Sequence, residues 1–258
     1  MNERSLRHGL LRTDVRKPKA LVRDREILEQ KRAELAQVAF DLFLDRGFHR
    51  TGVREIAAAA GLSVGAVFTY FNDKEEILAY IFFEQLGRVE KELLQTLQSV
   101  IGGGNGSGRR HPETVFDVVF TQFLRAVDAL SRFILLAYQE TKSLNDAARN
   151  ALIARERRVH GLLADAIRYG AERGRFASND IDLKAHNIMV LGHAWAIRRW
   201  MFADVMKSIE DYRKFLRPLV YSMLETGAPS AMRRKGSAKN RPRPGRARFE
   251  GRERVGLE

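Results

Sequence analysis

Leu35, Val38, Ala39, Leu42 and Phe43 fall at i, i+3, i+4, i+7 and i+8 with polar residues between them, the stripe of an amphipathic helix. Gly47, just after Arg46, is suited to the left-handed position that ends such a helix. A short second helix is expected over 53–60, closed by Gly61. Its start is weak, because Gly52 lacks the hydroxyl that pairs with a Glu three residues on, here Glu55. Ser63 is a natural N-cap for a third helix over 64–71, and Asn72 or Asp73 opens a fourth from 74 to about 100. A glycine-rich linker over 102–108 precedes Pro112, which marks a new helix start. Helices are then expected over 112–129 and 131–143, from a cap at Asn145 to about 173 before Gly174, and over 181–206 and 209–226. Pro218 should kink the last of these or mark its real start. No strand-like alternation or internal repeat appears, so the fold class is all-α.

The two short helices joined by Gly61-Leu62-Ser63 have the layout of a helix-turn-helix. Ala57, Ala58, Ala59 and Ala60 allow close packing of the first, and Gly65, Ala66 and Thr69 give the second a small face that fits against base edges. Ser63 leaves the N–H groups of that helix end available to a phosphate. Pattern alone leaves a plain core hairpin open as the other reading.

The segments Val38-Ala-Phe-Asp-Leu-Phe-Leu-Asp-Arg-Gly-Phe48, Thr51-Gly-Val-Arg-Glu-Ile-Ala57, Ala60-Gly-Leu-Ser63 and Phe68-Thr-Tyr-Phe-Asn-Asp-Lys-Glu75 resemble, in order, the DNA-binding domain of the TetR/AcrR family. The resemblance implies an N-terminal helix-turn-helix domain of three helices and a larger helical domain for ligand binding and dimerisation. It implies phosphate contacts from Thr51, Tyr70 and Lys74, and a recognition helix carrying Val64, Gly65, Thr69 and Tyr70. Two positions depart from the family pattern: Gly52 stands for a hydroxyl residue and Phe68 for a tyrosine, each removing a polar contact.

Charge alters this picture less than its size suggests. The 258 residues carry a formal +13, yet 11 of those charges lie in 1–28 (+4) and 230–258 (+7). The stretch 29–80 is net −2, with six basic and eight acidic residues. Such a head needs placed contacts rather than bulk attraction, and Arg32, Arg50, Arg54 and Lys74 are the candidates, beside Ser63 at the helix start. The arm residues Arg16, Lys17, Lys19, Arg23 and Arg25 offer minor-groove or backbone contacts. The Pro-, Gly- and Arg-rich tail reads as disordered, either a solubilising extension or a non-specific phosphate-binding arm. The expected domains are therefore an arm 1–28, a DNA-binding domain 29–75, a ligand-binding and dimerisation domain 76–229 and a tail 230–258.

In the C-terminal half, Tyr212, Phe215, Leu216, Leu219, Val220, Met223 and Leu224 repeat at helical spacing. In the family reading this stripe belongs to a four-helix interface of a homodimer, and a dimer implies a palindromic double-stranded DNA operator; the other reading is a monomer core. The segment from His186 to Trp200, with Tyr138-Gln-Glu-Thr-Lys-Ser-Leu144, is similar to the acyl-CoA-responsive branch of the family. That resemblance implies a small-molecule effector, an acyl-CoA or other hydrophobic ligand. Phe116, Phe120, Phe123, Leu124, Leu135 and Met189 are available to line an apolar tunnel, with Tyr138, His193 and Trp195 beside it. Arg198 and Arg199 are candidates for a CoA phosphate. Alternatively, Trp195 and Trp200 are packing residues and the arginines pair with Asp204, Glu140 or solvent.

The absence of cysteine removes disulfides, thiolate metal sites and cysteine nucleophiles. No apolar run approaches the ~18–20 residues of a membrane span, and the basic N-terminus lacks the apolar core of a signal peptide. A cytoplasmic protein with no membrane partner is expected. His186 and His193 share a helix face but lack a carboxylate at matching spacing, so no metal is expected. No P-loop, dinucleotide glycine signature or H-E-x-x-H occurs, so neither catalysis nor a cofactor is expected. The competing class is an architectural nucleic-acid binder driven by the basic tails.

Overall fold

The computed structural model describes residues 25–102 and 111–226. The arm up to residue 24, the linker over 103–110 and the tail from 227 lie outside the described residues. Helix α1 (Arg25–Arg46) begins four residues inside the expected arm and ends at Gly47, whose φ of +86° fits the left-handed position and whose N–H donates to the Phe43 carbonyl at 3.0 Å. Helices α2 (Val53–Ala59) and α3 (Val64–Tyr70) follow, with Gly61 at φ +66° in the turn between them. The Ser63 hydroxyl accepts the Ala66 N–H at 3.1 Å, the N-cap its position predicts. At Gly52 only half of a capping box survives: the Glu55 carboxylate accepts the Gly52 N–H at 2.7 Å.

Helix α4 (Lys74–Gly102) opens with the Asp73 carboxylate accepting the Glu76 N–H at 2.6 Å. Beyond the linker come α5 (Pro112–Ala129), α6 (Ser131–Glu140), α7 (Asp146–Ala171), α8 (Ile181–Phe202) and α9 (Ile209–Glu225). Three expectations are corrected here. Helix α6 stops at Glu140 and tightens into a 3-10 turn over Thr141–Ser143, where the Thr141 hydroxyl donates back to the Ala137 carbonyl at 2.6 Å. Helix α8 stops at Phe202 rather than 206 and is broken at Arg198, whose φ of −121° is not helical. Pro218 does not start α9; the helix begins at Ile209, where Ser208 and Asp211 bond reciprocally, and runs through the proline.

Leu35, Ala39 and Phe43 of α1 close with Phe48, Ile56, Val67 and Phe71 into the core of a three-helix head. Helix α4 leaves that head, its Ile77 and Leu78 buried against it, and continues between α5 and α7. Helix α8 covers α7 and α6, and α9 packs on α8 and α5. All described residues belong to one compact unit, so head and core are in direct contact through α4 and α6. Among the described residues there is no strand, and no helix is long and apolar enough to cross a membrane.

Candidate nucleic-acid interface and ligand cavity

Helix α3 buries Val67 against the head and exposes its opposite side. Gly65 and Phe68 are exposed and Thr69 is half-buried; at i, i+3 and i+4 they form one outward face. Phe68 is 51% exposed, an apolar ring with no place in the core. In the family pattern it is a lost polar tip; its exposure makes it an apolar side chain presented on this face. The Thr69 hydroxyl donates to the Gly65 carbonyl at 3.2 Å and keeps its lone pairs outward. Val64 and Tyr70 are half-buried at the two flanks. Arg50 and Arg54 are exposed on the head; the Arg50 Nε donates to the Arg46 carbonyl at 2.7 Å.

Three residues expected at DNA, Thr51, Arg32 and Lys74, make contacts within the head. Thr51 is fully buried, its hydroxyl donating to the Gly47 carbonyl at 2.9 Å. The Arg32 guanidinium lies between the Phe71 and Tyr80 rings, 4.7 and 4.9 Å from their centroids, and pairs with Glu76 at 3.3 Å. Lys74 reaches back from α4 to the loop before α2. Its Nζ donates to the carbonyls of Phe48 (2.9 Å), Thr51 (3.2 Å) and His49 (3.5 Å) and stands 4.5 Å above the Phe48 ring. These side chains set the angle between α1, the loop and α4 that presents α3.

The segment Gly61-Leu62-Ser63-Val64-Gly65 spells G-x-S-x-G, the signature of a strand-to-helix nucleophile elbow, which corrects the expectation that no such spelling occurs in the chain. Here it joins two helices, and the Ser63 hydroxyl serves as a cap. The spelling is coincidental.

The core holds a cavity of about 300 Å³ bounded by α4 to α8, at the lower end of ligand pockets, about 300–1,000 Å³. Of the residues expected at a ligand, Phe123, Tyr138, Met189 and His193 line it. Phe120, Trp195, Arg198 and Arg199 do not. Phe120 stacks on Phe116 at 5.7 Å. Trp195 is buried, donates its indole N–H to Asp128 at 2.7 Å and stacks on Tyr212. Arg199 lies over Trp195 and pairs with Asp128 at 3.6 Å, while Arg198 covers Trp200. The packing alternative therefore describes Trp195 and Arg199, with Asp128 as the partner that spacing did not single out.

The polar part of the cavity is at its mouth. Tyr138, 59% exposed, bonds through its hydroxyl to His193 Nδ1 at 3.1 Å. Burial pushes the His193 ring down to about 4, so it is neutral at physiological pH. Burial raises the Glu156 carboxyl above its ordinary value, with His186 and His160 pulling it partly back. Glu156 is absent from the residues expected at a ligand; Leu152, Glu156 and Val159 share one face of α7, and an acid inside that apolar stripe is the signal the sequence carries for it. The two histidines do not share a site: His186 neighbours His160, ring centroids 6.5 Å apart, while His193 faces the cavity. Among the described residues no group of three or more His, Asp or Glu side chains is arranged to hold a metal.

An outward-facing recognition helix on a three-helix head, carried by a helical core with a cavity, defines a helix-turn-helix transcriptional regulator. The profile of bacterial regulatory proteins of the tetR family matches residues 35–81, and that of the tetracyclin repressor-like C-terminal domain matches 107–224. The chain belongs to the TetR family, whose members are DNA-binding regulators rather than enzymes. The HTH-type transcriptional regulator HbdR of Aromatoleum sp. (strain CIB) is 28% identical over 83% of this chain and 90% of its own length. The HTH-type transcriptional repressor KstR2 of Rhodococcus jostii (strain RHA1) is 26% identical over 66% of this chain and 79% of its own. The crystal structure of AibR in complex with isovaleryl coenzyme A and operator DNA shares the fold, with a TM-score of 0.60 and 18% identity over 76% of this chain and 98% of AibR.

Proposed function

We propose that the chain is a dimeric repressor that holds a palindromic operator until an acyl-CoA or another lipid-like effector enters the core cavity. In this reading residues 29–75 read DNA, with Gly65, Phe68 and Thr69 at base edges and Arg50, Arg54 and Tyr70 at the backbone, while 76–229 hold the effector and the second subunit. One observation carries the coupling. Helix α4 begins at Lys74, which grips the loop of the head, and about 18–22 Å further on presents Leu86 and Val89 to the cavity. An effector that favours one position of α4 shifts the angle at which α3 is presented. It needs differential affinity for the two states, with coupling of typically ~1–3 kcal/mol.

Dimerisation is supported by large apolar side chains left exposed on α8 and α9, among them Leu183, Val190, Phe215 and Leu219. A two-fold dimer would set two α3 helices about one DNA turn, roughly 34 Å, or a multiple apart. The acyl-CoA reading is supported by the amphipathic cavity and by AibR, solved with isovaleryl coenzyme A. Gel-shift titration on selected palindromic DNA, with and without acyl-CoA thioesters, tests both parts. Release of DNA at micromolar thioester is the expected outcome, and indifference of binding to every thioester length removes the effector assignment.

A further inference from the structure

The cavity has an uneven chemistry that narrows what it accepts. Its walls are apolar, with Phe123, Val127, Phe133, Leu152 and Met189 turned inward, and among the described residues no lysine or arginine lines it. Polar groups gather at the mouth, where Tyr138, Thr141, Glu156 and His193 come from α6, the turn that follows it, α7 and α8. The Thr141 hydroxyl already donates to the Ala137 carbonyl. The Tyr138–His193 hydrogen bond, at 3.1 Å, uses one proton of the pair. If the tyrosine donates, the imidazole keeps its Nε2–H; if the imidazole donates, the tyrosine keeps its O–H. Either arrangement leaves one donor over.

A ligand carboxylate entering this mouth would lose water, meet no lysine or arginine among the described lining residues and approach the Glu156 carboxyl. A purely apolar ligand would offer that spare donor no acceptor of its own. An uncharged carbonyl meets both conditions. We propose that the mouth of the cavity selects a ligand whose inserted end carries an uncharged ketone, ester or thioester carbonyl that accepts a hydrogen bond from the Tyr138–His193 pair, with its apolar body packed inward against Phe123, Phe133 and Met189. This rests on the cavity being the effector site and specifies which chemistry that site takes. An apolar cavity of ~150 Å³ accommodates a benzene ring, so about 300 Å³ admits a ring or short chain bearing one such group.

Four near-isosteric probes test it by calorimetry on the full chain: acetophenone, S-methyl thiobenzoate, benzoate and ethylbenzene. Acetophenone and the thioester are expected to bind about tenfold tighter than ethylbenzene, the range of one satisfied hydrogen bond, and at least that much tighter than benzoate. In a Tyr138→Phe/His193→Leu double variant the advantage over ethylbenzene disappears while ethylbenzene itself still binds, showing an intact cavity. A thioester that outbinds the ketone identifies an acyl thioester as the source, and the reverse order identifies a ketone. Benzoate binding as tightly as the ketone overturns the selectivity but leaves the cavity as an effector site. Equal binding of ethylbenzene and acetophenone overturns the hydrogen-bond role. Failure of all four probes overturns the cavity assignment together with the selectivity.

Discussion

Replacing Lys74 by methionine keeps the aliphatic stem and removes the ammonium that holds the loop before α2. Two carbonyls, those of Phe48 and Thr51, lie within 3.2 Å of Nζ, and a third at 3.5 Å is weaker. Hydrogen bonds from a charged donor contribute about 1.5–3 kcal/mol each. The group is only half-buried and its bonds share one ammonium, so the pair is not additive. A loss of about 2–3 kcal/mol follows, and for a chain of this size that lowers the melting temperature by roughly 5–10 °C. The salt dependence of operator binding separates this clamp from the phosphate contact implied by family resemblance. A phosphate contact from each subunit of a dimer would reduce the slope of log K against log salt by about 1.8 when removed. Thermal unfolding and fluorescence anisotropy at several salt concentrations therefore give opposite signatures. A melting temperature within 1–2 °C of the parent, together with a slope reduced by about 1.8, would refute the clamp.

Three further outcomes follow from the same geometry. A Cβ at Gly192 would overlap the Phe123 ring, so Gly192→Ala should push that ring into the cavity, weaken effector binding at least tenfold and cost about 1–3 kcal/mol of stability; unaltered effector affinity by calorimetry would contradict this. His193 titrates at about 4 in the fold but near its ordinary 6.5 when unfolded, so protons favour the unfolded chain and stability falls as pH drops from 6.5 towards 4, by up to about 3 kcal/mol. The raised carboxyl of Glu156 acts in the opposite sense, so the measurement is the difference in urea unfolding between the parent and His193→Leu at pH 7 and pH 4.5, and an unchanged difference removes the claim. The exposed Phe68 ring suits the C5-methyl of thymine, so replacing one thymine per half-site by uracil should weaken parent binding several-fold and leave Phe68→Ala indifferent; equal sensitivity of the two proteins would argue against it.

Local chemistry was the legible part of this sequence. Gly47, Ser63, Asn145 and Gly174 act within a turn of their own positions, and each ends or caps the helix its spacing predicted. Residues whose partners lie far along the chain were not legible in the same way. Lys74 bonds to carbonyls 23–26 residues earlier and Arg32 pairs 44 residues later, so a motif that reads both as surface cations cannot register their inward turn. The cavity shows the same division. Phe120 and Phe123 stand three residues apart on α5, but Phe120 packs with Phe116 and only Phe123 faces the space left between α4 and α8. Apolar periodicity identified the buried side of α5 without indicating where that side would stay unfilled. Arg198 and Arg199 are candidates for a ligand phosphate through the acyl-CoA-branch resemblance and their charge, neither of which registers the tryptophan ring that lies beside each.

Selection of binding sites from random double-stranded DNA, followed by footprinting of the enriched sequence, tests the central claim most directly. Enrichment of an inverted repeat with two protected half-sites whose centres lie one or more helical turns apart is expected, with protection lost when Gly65 on the outward face of α3 is replaced by glutamate. Binding that enriches no sequence over random DNA, and that survives this replacement, would contradict a regulator reading an operator and would mark the protein as a non-specific binder acting through its basic ends.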